Sequence, residues 1–112
     1  MVYKILRPSE WRDAQEAGCY RGSADDHRDG FIHLSTAEQL SGTLARHFAG
    51  EGELLLLGFE QAAFGEALRW EAARNGQIFP HVYGVIDPAH VIFQTALKCD
   101  AQGRHVVPEG LR

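Results

Sequence analysis

Covalent and metal staples are scarce in this chain of 112 residues. It has two cysteines, Cys19 and Cys99, far apart in the sequence, so neither CxxC redox chemistry nor a zinc ribbon is on offer. Long hydrophobic runs are missing too. No apolar stretch approaches the roughly 18 residues of a membrane span, and the N-terminal "MVYKILRPSEW" lacks the apolar region of a signal peptide. Positive charge is in short supply: 11 Lys and Arg face 15 Asp and Glu, for a formal net charge of −4. That balance argues against nonspecific binding to nucleic acid, which rests on many basic contacts to phosphate. A local basic pocket is still allowed, since Arg7, Arg21, Arg46, Arg69 and Arg74 are spread along the chain. Repeats, linkers and low-complexity segments are absent as well. Together these absences lead us to expect a reduced, cytoplasmic, soluble protein with no membrane partner.

What is present is ordinary globular material, 45% apolar and 23% charged. A single domain over residues 1–112 is expected, large enough to bury roughly 65% of its unfolded surface without metal or disulfide. "VYKIL" (Val2 to Leu6) alternates apolar and polar residues and predicts a first strand. Ser9 as N-cap, with Glu10 in the first turn, predicts a helix carrying Trp11 and Ala14 and stopping at Gly18. "GSADDHRDG" (Gly22 to Gly30) is polar and turn-rich and reads as a loop. "FIHL" (Phe31 to Leu34) reads as a short strand. "STAE" then matches a capping box, Ser35 as N-cap and Glu38 at the third position. It opens a helix with Leu40, Leu44 and Phe48 on one face, ended by Gly50 and Gly52.

"ELLLLGF" (Glu53 to Phe59) is apolar nearly throughout and predicts a central strand covered on both faces. A short strand follows near Leu68 to Glu71, a loop through Asn75 and Gly76, and a strand entered at about His81. "HVIFQTALKCD" and "GRHVVP" flank a turn and predict a C-terminal hairpin. The fold class is α+β: small mixed or antiparallel sheets packed with two short helices.

The chemistry concentrates in two apolar runs. "DGFIHLST" places His33 two residues before Ser35, and "FPHVYG" places His81 two residues before Tyr83. Strand side chains alternate, so each imidazole shares a face with a hydroxyl. An imidazole buried without a partner costs on the order of 1–3 kcal/mol. Each histidine is therefore either hydrogen-bonded within the core or turned toward a cleft, and the sequence leaves both readings open. Ser35 is explained by helix capping alone, though a strand-to-helix junction also exposes amides that suit an anion. Glu71 in "LRWE" is a further candidate: a loop folding it back toward His81 would set a carboxylate beside imidazole for acid–base work or ribose binding. Its plainer reading is a surface residue paired with Arg69 or Arg74. His27, His47, His90 and His105 complete the histidines. No HExxH or other close ligand spacing appears, so no metal is expected.

These residues resemble a known set. "DGFIHLSTAEQL", the following "RHF", the "LLLL" strand, "LRWE" and "FPHVYG" look like the domain of unknown function 952 family of small bacterial proteins, over nearly the whole chain. That family is thought to be related in fold to the ADP-ribosyltransferases, in which two small sheets hold NAD in the cleft between them. The resemblance implies NAD as substrate, with His33 holding its ribose and amide side. Ser35 and Thr36 would follow as the Gly-Thr does in an "HGT" motif, and Tyr83 would stack on nicotinamide beside His81. The pattern departs at the late glutamate of active transferases. The C-terminal hairpin offers Gln94 and Thr95 instead, and Glu71 precedes Tyr83.

Three functions follow as expectations. The first is a small protein that binds or processes NAD or an ADP-ribose-like nucleotide, with His33, His81 and Glu71 catalytic and Ser35, Thr36 and Tyr83 binding the nucleotide. The second is a non-catalytic module for a ligand or a partner, which the missing late glutamate favours. The third is a two-histidine phosphodiesterase using His33 and His81 on a cyclic phosphate. Tyr83, standing where a second Ser or Thr would be, breaks that pattern.

Overall fold

A computed structural model describes residues 1–73 and 75–112. Arg74, one of the two partners considered for Glu71, lies outside them. In chain order the elements are β1 (Val2–Leu6), α1 (Pro8–Ala17), α2 (Ala24–Asp29), β2 (Ile32–His33), α3 (Leu40–His47), β3 (Leu54–Phe59), β4 (Leu68–Ala72), β5 (Ile78–Val82), β6 (Phe93–Cys99) and β7 (His105–Val106). Short 3-10 turns precede α3, β4 and β6. The strands form two antiparallel sheets, a four-stranded one in the order β1-β3-β6-β7 and a three-stranded one in the order β2-β5-β4. The α+β class holds, with three α-helices among the described residues rather than two.

Within the four-stranded sheet β1 and β3 are buried on both faces, and their sequences show why. In β1, Val2 and Leu6 point one way and Tyr3 and Ile5 the other; in β3, Leu57 and Phe59 oppose Leu54 and Leu56. One face packs on Trp11 and Ala14 of α1 and on Ile32 and Val82 of the smaller sheet. The other packs on Leu40 and Leu44 of α3. "LLLL" is therefore the central covered strand its composition demanded. Gly58 within it is buried between its register partners Tyr3 and Phe93. A Cβ there would lie 2.8 Å from the Met1 side chain and 3.0 Å from the Phe93 Cβ.

Four boundaries differ from the sequence reading, each for a local reason. Helix α1 starts at Pro8, because proline suits the first helical turn, and Arg7 takes the cap. The "GSADDHRDG" segment is not all loop. Ser23 Oγ accepts from the Asp26 N–H at 3.2 Å and the Asp26 carboxylate accepts from the Ser23 N–H at 2.8 Å, so a capping box starts α2 there. Ser35 does not cap the next helical segment, because its backbone exchanges hydrogen bonds with Tyr3 of β1 at 2.8 and 2.9 Å. The role passes to Thr36, whose N–H donates to Gln39 Oε1 at 3.1 Å. Finally, β5 begins at Ile78, where pairing with Ala72 already holds it.

Candidate functional site

Residues 32–35 join the two sheets. Ile32 and His33 pair with Val82 and His81 of β5. Leu34 donates to the Pro80 carbonyl at 3.0 Å, and Ser35 then pairs with Tyr3 of the larger sheet. Alternation sends Ile32 and Leu34 into the core and leaves His33 and Ser35 on the wall of a cleft of about 380 Å3. Helix α2 lines one side of it, α3 the other, and the tip of the β4–β5 hairpin closes one end. The β2–β5 register sets His33 directly opposite His81, their ring centroids 5.5 Å apart.

His33 is held by a carboxylate the sequence reading overlooked. Asp26 of α2 is 2% exposed. Its Oδ1 accepts from the His33 N–H at 3.0 Å and from His33 Nδ1 at 2.6 Å. Its Oδ2 accepts from the Ser23 N–H at 2.8 Å and from Lys4 Nζ at 2.9 Å. Four donors saturate both oxygens. Burial alone would push the Asp26 carboxyl up; the His33 hydrogen bond, the Lys4 charge and the Ser23 amide outweigh it and hold it well below the usual carboxylate range. Lys4, itself buried in β1, gives a further hydrogen bond to the His33 carbonyl at 3.0 Å. Gly22 makes this approach feasible. Its φ is +107°, and a Cβ there would come within 2.8 Å of the Asp26 Cβ.

His81 has a carboxylate of its own. Its Nδ1 lies 2.8 Å from Glu71 Oε1, which also accepts from the Tyr83 hydroxyl at 2.8 Å. A carboxylate only accepts, so the proton of this bond sits on Nδ1. Nε2 is left without a protein partner among the described residues. The His81 hydrogen bond, then that from Tyr83, hold the Glu71 carboxyl below its ordinary value, and the same contact raises the Tyr83 hydroxyl. Phe31 stacks on the His81 ring with centroids 4.0 Å apart and stands 4.7 Å from His33, which braces both imidazoles.

Of the residues singled out by sequence, His33, His81 and Ser35 line the cleft, whereas Glu71, Tyr83 and Thr36 do not. Glu71 reaches the site only through His81. Tyr83 is turned to Glu71 and lies under the Arg69 guanidinium, 4.7 Å from its ring centroid, rather than in the cleft. The Ser35 hydroxyl is buried and meets Thr43 Oγ1 of α3 at 3.1 Å. Tyr3, Phe48 and Phe79 are aromatics that line the cleft, Phe79 two residues from His81 on β5. Asp26 and Lys4 could have been found: "SADD" is itself a capping-box pattern, and one lysine within "VYKIL" asks for a counter-charge. Among the described residues no group of three or more His, Cys, Asp or Glu could hold a metal ion, and no helix is long and apolar enough to cross a membrane.

Comparison with known proteins adds relatives of the same shape. Protein CC0527 from Caulobacter crescentus, in its X-ray structure, is 44% identical, with a TM-score of 0.89 over 94% of this chain and 92% of that one. Its solution NMR structure matches with a TM-score of 0.83 and 45% identity over 92% of this chain and 89% of that one. No curated protein matches the chain. The model of the family described as "Protein of unknown function (DUF952)" matches residues 5–94, and the chain belongs to that family.

Proposed function

We propose that the cleft binds and processes NAD or an ADP-ribose-like nucleotide. The observation that carries the reading is the pair of imidazoles. His33 and His81 stand side by side on paired strands, each oriented through Nδ1 by its own carboxylate, at the junction of two sheets. The reading takes up the expected kinship with the ADP-ribosyltransferases, in which NAD lies between two small sheets. A cleft of about 380 Å3 falls in the size range of small-molecule sites.

Each group has a distinct task. His81, with its proton fixed on Nδ1, presents the Nε2 lone pair to the cleft and serves as general base toward an attacking hydroxyl or water. Glu71 orients His81 and stabilises the imidazolium formed when that proton arrives. It is thus a positioning residue, secured by Tyr83. His33, gripped at Nδ1 by Asp26, donates to the ligand from Nε2 when its ring carries both protons. Phe79, rather than Tyr83, is placed to stack on a base. The oxocarbenium-like charge that develops as a glycosidic bond breaks would meet the acidic wall of α2 in place of a late glutamate.

One-dimensional NMR of NAD mixed with the protein tests this. Line broadening that disappears in His33→Ala places the nucleotide at the cleft, and growing signals of free nicotinamide make the protein an enzyme. Binding without turnover would favour the non-catalytic module, and unperturbed NAD in both samples would sink the reading. The imidazole juxtaposition also favours acid–base chemistry on a phosphodiester. Hydrolysis of 2′,3′-cyclic nucleotides, lost in both His33→Ala and His81→Ala, would shift the assignment to that class.

A further inference from the structure

One contact in the cleft serves no folding purpose that local chemistry explains. Asp29 is the last residue of α2, where a negative charge meets the carbonyl end of the helix and is unfavourable. Its Oδ2 lies 2.9 Å from His33 Nε2, a contact without hydrogen-bond alignment that is an ion pair when the ring carries both protons. Its Oδ1 lies 3.0 Å from Arg28 Nε, and Arg28 also reaches Asp25 at 3.4 Å. Because Asp26 locks Nδ1 and the backbone of His33, the ring cannot turn away, and Nε2 is the edge it offers the cleft. Asp29 is by contrast partly exposed and followed by Gly30 in a left-handed conformation, φ 85°. One partner is fixed and the other is free to leave.

We propose that His33 Nε2 and the Arg28 guanidinium form a subsite for a phosphate oxyanion, and that the Asp29 carboxylate stands in for that oxyanion in the free protein. The inference rests on the nucleotide reading and deepens it: His33 meets a phosphate oxygen of the ligand rather than its ribose and amide side. The stand-in has the right charge and distance. Its poor alignment means that an oxyanion arriving along the N–H direction forms the better hydrogen bond and displaces it. Arg28 and Asp29 both line the cleft, so the displaced carboxylate vacates ligand space and leaves Arg28 to bind the newcomer. Binding is therefore an exchange of one anion for another.

The test is calorimetric titration of inorganic pyrophosphate, and separately of ADP-ribose, into wild type, Asp29→Ala, Asp13→Ala and the double variant Asp29→Ala with His33→Ala. The expected result is pyrophosphate binding about fivefold or more tighter in Asp29→Ala, as follows from removing one like charge at contact distance. The gain is lost in the double variant and is much smaller in Asp13→Ala, which removes the same charge from an exposed position of α1 outside the cleft. Equal gains in the two single variants would reduce the effect to net charge and overturn the proposal. So would unchanged or weaker binding in Asp29→Ala whose amide spectrum shows it folded. A gain for ADP-ribose as well assigns the subsite to a nucleotide phosphate; a gain for pyrophosphate alone assigns it to free phosphate. If wild type ignores NAD while Asp29→Ala gains pyrophosphate, the nucleotide reading falls and the oxyanion subsite stands.

Discussion

Asp26 concentrates more interactions than any other side chain described above. It neutralises Lys4, caps α2 and orients His33. Removing one member of a buried ion pair costs roughly 3–5 kcal/mol, because the other charge stays buried alone. Asp26→Asn should therefore lose stability on that scale in urea denaturation, and a double change of Lys4 and Asp26 to Met and Leu should recover only the ion-pair part, because the Ser23 and His33 donors stay unpartnered. The pH dependence has a defined sign. A carboxyl held below its unfolded value of about 3.9 contributes stability that is complete above that pH. The contribution drains away as pH falls toward the lower folded value. Stability attributable to Asp26 should be flat from pH 7 to 5 and fall below about 4, and Asp26→Asn should lack that fall. At His81 the effect is on proton placement instead. Tyr83→Phe should change stability by no more than about 0.5 kcal/mol, since the hydroxyl is exposed. Glu71→Gln should loosen the preference for the proton on Nδ1, read from the imidazole nitrogen shifts of His81.

At the scale of elements, α2 and β3 carry contrasting demands. Helix α2 has six residues, too few to persist alone, so its cap and its tertiary contacts must hold it. Ser23→Ala should cost about 1 kcal/mol. It should also disturb the His33 ring, because the lost Oγ contact holds the Asp26 backbone, and the Asp26 carboxylate orients that ring. Strand β3 needs no cap but has no spare volume. Gly58→Val would drive methyl groups into Met1, Phe93 and Tyr3 and should destabilise by about 1–3 kcal/mol, measured as a lowered denaturation midpoint. These two elements also separate what local pattern conveys from what it does not. The uninterrupted apolar run "LLLL" marked β3 directly. "ADDHRD" has no apolar stripe, so periodicity could not report α2, and only the Ser23–Asp26 reciprocity marks its start.

Over the whole molecule, the segment beyond the family-matched residues 5–94 closes the second face of the larger sheet. Leu97 is buried, Val107 and Leu111 pack against the Tyr3 and Leu44 cluster, and the Tyr3 hydroxyl donates to the Arg112 carbonyl at 3.0 Å. Deleting residues 107–112 should lower the thermal midpoint and accelerate amide exchange in β1 and α3, while leaving the His33 environment intact. Uniform loss across both sheets would show instead that the tail supports the fold as one unit.

The presence of the strands, the two-faced burial of β3, and the placement of His33 and Ser35 on one face were determined by sequence alone; that β1 is buried on both faces, Lys4 included, was not. Period-two alternation and uninterrupted apolar runs are properties of neighbouring residues. The partners of the histidines were decided by tertiary structure. Asp26 reaches His33 across a turn, Glu71 reaches His81 through the β4–β5 register, and Lys4 arrives from the other sheet. Hydrogen bonds between side chains far apart in the chain depend on register and on where a helix docks, and neither leaves a periodic trace. The same reason moved Tyr83 out of the cleft: sharing a strand face with His81 placed it near the site, but the Glu71 carboxylate one strand away decided where its hydroxyl points.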